Sequence, residues 1–234
     1  MMEVMNQWED NLSFKCGIFK EELKNRFLCL VEVDGEDTLC YVPSSCRLSN
    51  FVSMAGKSVL LAPIAKSNAR TKYSVEALAV GAEYVLLNMS KANRVVINNL
   101  HSRRFAVLGA RKSIKKECII EGYKSDLYIE DTKTVVEIKS ILSFLREAEF
   151  PSVYSQRAVE QLIKLERLLD EGLRVCYVFV SLNPKVKELT LNRELVSYRN
   201  AFHRCVRKGM MVIGVTIRFR EGKPQIYSAL KINI

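Results

Sequence analysis

The residues best placed to do chemistry lie in YKSDLYIEDTKTVVEIKSI, residues 123–141. Read as a β-hairpin turning at Asp131-Thr132, this segment sets Asp126 opposite Glu137, Leu127 opposite Val136, Ile129 opposite Thr134 and Glu130 opposite Lys133. Side chains alternate along a strand, so one face carries Asp126, Tyr128, Glu137 and Lys139 while Leu127, Ile129, Val136 and Ile138 form a core face. Directly opposed residues have Cβ atoms about 4.5–5.5 Å apart, close enough for two carboxylates to share one cation. Carboxylates so placed repel unless a proton or a cation lies between them, and Mg²⁺ or Mn²⁺ suits an all-oxygen site completed by water and phosphate oxygens. Such a metal polarises a phosphate and acidifies a bound water. Lys139 would orient that water or neutralise charge gathering on the phosphate, and Lys124, opposite Lys139 in this register, would touch the substrate backbone. An isolated Glu-x-Lys on a half-exposed strand is more often a solvated face, so the weight rests on what surrounds it.

The elements that must position these residues fall into two groups. Up to about residue 88, six short runs rich in Val, Leu, Tyr and Phe (FKCGIFKEEL, RFLCLVEV, TLCYVP, SVLLAPI, KYSVEALAV and EYVLLNM) are separated by polar or Gly-containing breaks such as VDGED. This predicts a small closed barrel of OB type, an architecture that binds single strands or distorted duplexes and that also occurs without a ligand. From residue 89 the pattern changes to an α/β domain with a central mixed sheet. SKANRVVINNL reads as a short helix, and RKSIKKECIIEGYKSDLYIE as one or two strands. A helix is expected from Ser155 to Glu171, stopped by Gly172, with Ala158, Leu162, Leu165 and Leu169 facing the core. LRVCYVFVSL reads as a strand covered on both faces, a second helix runs from Glu194 to Lys208, and MMVIGVTIRF closes the chain as its final strand. The expected domains are 1–88 and 89–234.

Charge narrows the partners. Of 234 residues, 36 are Lys or Arg and 26 Asp or Glu, a net charge of +10. A surplus of this kind favours a polyanion, of which nucleic acid is the commonest, with an anionic membrane surface as the other fit. The KSNARTK segment supplies Arg70 and Lys72 as phosphate contacts next to the barrel, and HSRR, ARK and KK (residues 101–116) add positive charge just before the hairpin. Tyr73 and Tyr84 could stack bases, although strand aromatics are more often core. Seven cysteines with no CxxC spacing read as reduced thiols, several of them buried. Only His101 and His203 are present, which all but excludes a His-rich zinc centre or a His-dependent nucleophile. The N-terminus lacks the basic start and apolar stretch of a signal peptide, and no apolar run approaches the roughly 18 residues of a membrane span, so a cytoplasmic protein is expected.

With these residues assembled, the chain resembles the sugar fermentation stimulation protein family, SfsA. RTKY (residues 70–73) resembles the family's K-T-x-Y, and Asn93-Arg94 its P-N-R, with Ala92 in place of Pro. Lys124-Ser125-Asp126 is similar to S-R-x-D with Lys for Arg, and Glu137-Ile138-Lys139-Ser140 to E-V-K-S/N. Phe150-Pro151 follows F-P-D-A, and Arg157 the Arg of T-x-R at the start of the next helix. The resemblance implies an OB-type domain joined to a restriction-endonuclease-like domain of the PD-(D/E)xK superfamily. Asp126 and Glu137 would be the metal ligands, Lys139 the catalytic lysine, and Arg70, Lys72, Asn93, Arg94, Lys124 and Arg157 nucleic-acid contacts. It further implies binding of DNA and, in some members, cleavage of DNA or RNA. The matching non-catalytic alternative is a DNA-binding regulator with a vestigial metal site.

The chain also departs from that pattern. Val42-Pro43-Ser44-Ser45-Cys46 stands where the family has C-P-N-T-G, and Ile97, Asn98 and Asn99 stand where many members carry acidic residues. A carboxylate on that helix serves some superfamily members as an extra metal ligand, a role left here to Glu117 or Glu121. Gln156 and Gln161, on the helix after the Glu-x-Lys strand, occupy positions where superfamily members often use a polar side chain, or else belong to a solvent-facing stripe.

Overall fold

The computed structural model describes residues 14–25, 27–43, 48, 52–66, 68–220 and 222–234. The departing loop residues Ser44, Ser45 and Cys46 lie outside that set. The chain divides into two compact units, Met1–Ser90 with Phe219–Lys223, and Lys91–Arg218 with Pro224–Ile234.

The first unit is built from β1 (Lys15–Glu22), β2 (Leu28–Val33), β3 (Glu36–Tyr41), β4 (Ser58–Pro63), β5 (Tyr73–Val80) and β6 (Glu83–Leu86). β1 pairs with both β2 and β4, β2 with β3, β4 with β5, and β3 runs parallel to β5. Five strands therefore close on themselves and leave no free edge between them, and β6 adds to β5. Alternation supplies the core: Cys29, Val31 and Val33 of β2 point inward while their neighbours do not. Asp34 and Gly35, both at positive φ (54° and 85°), make the two-residue turn from β2 to β3 whose twist matches the strands. A Cβ on Gly17 would lie 2.5 Å from Val31 Cγ1 and 2.9 Å from the Glu32 carbonyl, so only glycine lets β1 approach β2 this closely.

The second unit opens with α1 (Met89–Asn99) and a 3₁₀ turn over Arg103–Leu108. Four short strands follow: β7 (Ile114–Lys116), β8 (Ile119–Ile120), β9 (Tyr123–Lys124) and β10 (Leu127–Ile129). Next come β11 (Thr134–Ile141), β12 (Glu147–Phe150), α2 (Gln156–Asp170), β13 (Arg174–Ser181), β14 (Glu188–Leu191), α3 (Val196–Arg207), β15 (Met211–Arg220), β16 (Lys223–Ala229) and β17 (Lys231–Asn233). The main sheet has the order β16-β15-β13-β11-β10-β7. β11, β13 and β15 are parallel, and β7 and β10 pair antiparallel, so the sheet is mixed. Parallel neighbours need a covering crossover, and α2 provides it between β11 and β13. Ser155 caps α2 through its hydroxyl, which accepts from Ala158 N at 3.3 Å. Gly172, at φ 82°, ends it, with Leu173 N donating to Leu168 O and Gly172 N to Leu169 O.

Several expectations change at this level. MMVIGVTIRF is not the last strand, because β16 and β17 follow it and β17 joins β12 and β14 in a separate three-stranded sheet. The buried stripe of α2 is Val159, Leu162, Leu165 and Leu168, with Ala158 and Leu169 at its margins. The hairpin register holds over Leu127↔Val136, Tyr128↔Val135 and Ile129↔Thr134. Its turn is longer than two residues: a 3₁₀ turn over Glu130–Thr132 and then Lys133 in the left-handed region. That geometry aims Glu130 away from Lys133 and onto Lys115 and Ser113.

Candidate metal centre

Glu137 and Lys139 come from β11, whose two neighbours are β10 and β13. Because α2 and the core cluster cover the face that bears Val135, Glu137 is only 3% exposed. The solvated face on which an isolated Glu-x-Lys more often lies is thus not what surrounds Glu137. An unpaired carboxylate at this depth would cost several kcal/mol, and the fold compensates it on both oxygens. Lys139 Nζ lies 2.5 Å from Glu137 Oε1 and 2.9 Å from Gln161 Oε1 of α2, and the Tyr123 hydroxyl donates to Glu137 Oε2 at 2.5 Å.

Asp126 lies one residue before β10, where the chain leaves the ladder. Its backbone carbonyl accepts from Glu117 N, and its Oδ2 accepts from the Ile138 amide at 2.7 Å instead of sitting in a ladder pair opposite Glu137. Asn93 of α1 donates to Oδ1 at a longer 3.4 Å. Burial, and then the nearby Glu137 charge, push the Asp126 carboxyl up to about 6, against the opposing pull of the Ile138 amide and Lys139. Burial and then Glu137 also push the Tyr123 phenol well above its ordinary range, so it acts as a donor.

Both carboxylates line an open cavity of about 380 Å³ together with Glu117, Tyr123, Lys124, Ser125, Arg157, Glu160, Gln161 and Lys164. Arg157, Glu160, Gln161 and Lys164 fall at helical spacing on one face of α2, so the polar stripe of that helix faces the cavity. Lys124 reaches the cavity by a different route from the one expected. It pairs with Ile119 across the β8–β9 ribbon, not with Lys139, and forms a 3.2 Å ion pair with Glu117. The reason is the sharp turn at Glu121 and Gly122, with φ 45° and 74°, which ends the hairpin register before residue 124. Glu117 borders the same cavity, whereas Glu121 lines a different one beside Tyr128, Lys133 and Leu173. Among the described residues no cluster of three or more His, Cys, Asp or Glu could hold a metal. The two carboxylates, oxygen donors in the lining of a polar cavity, fit a hard divalent cation that keeps several waters.

The other expected contacts are distributed. Arg70 and Lys72 are exposed in the first unit, in the β4–β5 connection that is closed by Ile64 N donating to Lys72 O at 2.9 Å. Arg94 is exposed on α1 and Arg157 on α2. Tyr84 packs edge-on against Phe219, ring centroids 6.2 Å apart, which makes it a packing aromatic. Tyr73 is half-buried at the start of β5. Tyr123 and Lys164 carry no motif signal. Tyr123 is three residues before Asp126, and only the two-residue ribbon β8–β9 turns it inward.

A closed OB-type barrel followed by a mixed-sheet α/β unit, with Glu137 buried and Asp126 and Lys139 half-buried close to it, defines the class of protein, and comparison with known proteins supplies the family. Residues 23–87 match the SfsA N-terminal OB domain, and residues 90–223 the sugar fermentation stimulation protein RE domain. The chain belongs to the SfsA family. It is 28% identical over 181 residues to a sugar fermentation stimulation protein homolog of Caldanaerobacter subterraneus subsp. tengcongensis, covering 76% of this chain and 78% of the relative. It is 27% identical over 201 residues to the homolog of Methanothermobacter thermautotrophicus, covering 84% and 83%. The structure of Pyrococcus furiosus SfsA in complex with Ca²⁺ superposes with a TM-score of 0.81 over 95% of this chain and 96% of that one. At 18% identity, that likeness speaks for the fold. Among the described residues no helix is long and apolar enough to cross a membrane.

Proposed function

We propose that this protein is a Mg²⁺- or Mn²⁺-dependent nuclease that hydrolyses phosphodiester bonds in DNA, and in RNA where a strand fits the cavity. The observation that carries the reading is that Asp126 and Glu137 line one polar cavity with Lys124, Arg157 and Lys164, while Lys139 is ion-paired to Glu137 beside it. Asp126 and Glu137 would hold the cation, which when bound supplies charge to polarise the phosphate and acidify water. Lys139, steadied by Gln161, brings a positive charge to the reacting phosphate. Arg157 and Lys164 grip phosphates beside it as point charges and hydrogen-bond donors. The OB-type unit, with Arg70 and Lys72 exposed, adds a surface of a kind that binds nucleic-acid strands. That Pyrococcus furiosus SfsA is seen with Ca²⁺ agrees with a divalent-cation site in the family.

A second reading, a DNA-binding regulator with a vestigial site, is favoured by one observation: all four carboxylate oxygens of Asp126 and Glu137 already have protein donors. Cleavage assays on single- and double-stranded DNA and RNA with Mg²⁺, Mn²⁺ or EDTA separate the two. The nuclease reading expects metal-dependent cleavage that falls roughly 100-fold or more in Asp126→Ala. Binding of equal strength by both proteins, with no cleavage by either, leaves the regulator.

A further inference from the structure

Glu137 presents two chemically different oxygens. Oε2 is held by Tyr123, a residue 3% exposed within the core cluster. Its segment is fixed at both ends, by Ser125 N donating to Cys118 O at 2.9 Å and by the Ile120↔Tyr123 pairing. Oε1 is held by the ammonium of Lys139, which has a second acceptor in Gln161 and a side chain 22% exposed. A neutral hydroxyl anchored in the core keeps its oxygen. A flexible ammonium with an alternative partner can release the other.

We infer that Tyr123 is a positioning residue that occupies Glu137 Oε2 and leaves Oε1 as the single oxygen this carboxylate offers to a cation, which tunes the site toward Mg²⁺ and Mn²⁺ and against Ca²⁺. The inference rests on the metal-dependent reading above. Its physical basis is coordination: Mg²⁺ demands near-octahedral geometry and accepts one oxygen per carboxylate, whereas Ca²⁺ takes six to eight oxygens and uses carboxylates in bidentate fashion. Hydrogen bonds to metal-binding side chains commonly set affinity by about 10–100-fold.

The test is calorimetric titration of the full-length, metal-stripped protein with Mn²⁺, Mg²⁺ and Ca²⁺, comparing wild type with Tyr123→Phe. Tyr177→Phe serves as a control, since Tyr177 is equally buried but its hydroxyl meets Tyr198 at 3.1 Å instead of a carboxylate. Tyr123→Phe is expected to weaken Mn²⁺ and Mg²⁺ about 10-fold or more and to raise the ratio of Ca²⁺ to Mn²⁺ affinity at least about fivefold, because the freed Oε2 permits bidentate binding. Tyr177→Phe is expected to lower the melting temperature while keeping that ratio. If Tyr123→Phe weakens all three ions by one common factor, or none of them, Tyr123 is structural and the inference fails while the metal site stands. If wild type takes up none of the three, the metal reading itself is overturned.

Discussion

Buried negative charge governs the energetics of individual residues here. Asp126 and Glu137 are both withdrawn from water, and in the metal-free protein Asp126 answers by binding its proton more tightly, with its carboxyl raised from 3.8 to about 6. Between these values the folded state holds a proton that the unfolded chain has released, so stability falls as pH rises from about 4 to 6. A shift of this size corresponds to roughly 3 kcal/mol. Urea melts in EDTA should therefore show wild type losing stability across this window relative to Asp126→Asn, which has no proton to lose. A cation needs the carboxylate charged, so Mn²⁺ affinity should rise with pH up to about 6 and then level. Parallel pH profiles for wild type and Asp126→Asn would sink the assignment. The thiols behave in the opposite way to reactive groups: burial pushes Cys176 and Cys205 up to about 12, which leaves exposed Cys16 as the first to react among the described cysteines.

At the scale of elements, the site depends on segments whose visibility in the sequence differs widely. The six strands of the first unit were legible because each apolar run is bounded by polar or glycine punctuation. The β10–β11 register was legible because a one-residue slip would put Leu127 and Val136 in water. The burial of Glu137 was not legible, since the alternation of TVVEIKSI says nothing about α2, which arrives from elsewhere in the chain to cover that face. Nor was the β8–β9 ribbon, whose two-residue strands carry no periodicity. The C-terminal strands β16 and β17 were missed because KPQIYSALKIN mixes polar and apolar residues on edge strands. Their docking nonetheless has a sharp signature at Gly214, where a Cβ would lie 2.2 Å from the Leu230 carbonyl and 2.7 Å from Ile232 Cδ1. Leu230 N also donates to Gly214 O at 2.9 Å. Backbone cannot retreat as a flexible side chain can, so Gly214→Ala should destabilise the second unit by about 1–3 kcal/mol through overpacking. Thermal melts read this directly. An unchanged melting temperature would mean that the 230–233 segment does not sit against β15.

For the molecule as a whole, the 36 Lys and Arg side chains behind the net charge of +10 divide between those ion-paired within the fold and those left for a partner. Glu166 with Arg204 and Lys208, Glu130 with Lys115 and Glu188 with Lys231 belong to the first kind. On the function proposed above, Arg157 and Lys164, at the cavity, and Arg70 and Lys72, exposed in the barrel unit, belong to the second. Each phosphate neutralised on a single strand releases about 0.7 of a counterion. Replacing Arg157 and Lys164 by alanine should thus flatten the slope of log affinity against log salt by roughly 1.4, and replacing Arg70 and Lys72 should do the same. The measurement is anisotropy with a labelled single strand, in EDTA so that cleavage cannot intrude, over a tenfold range of salt. A slope changed by the cavity pair and untouched by the barrel pair would mean that the OB-type unit does not hold nucleic acid through Arg70 and Lys72. The reverse result would remove the cavity cations from the binding surface and with them the main electrostatic support for phosphate chemistry at Asp126 and Glu137.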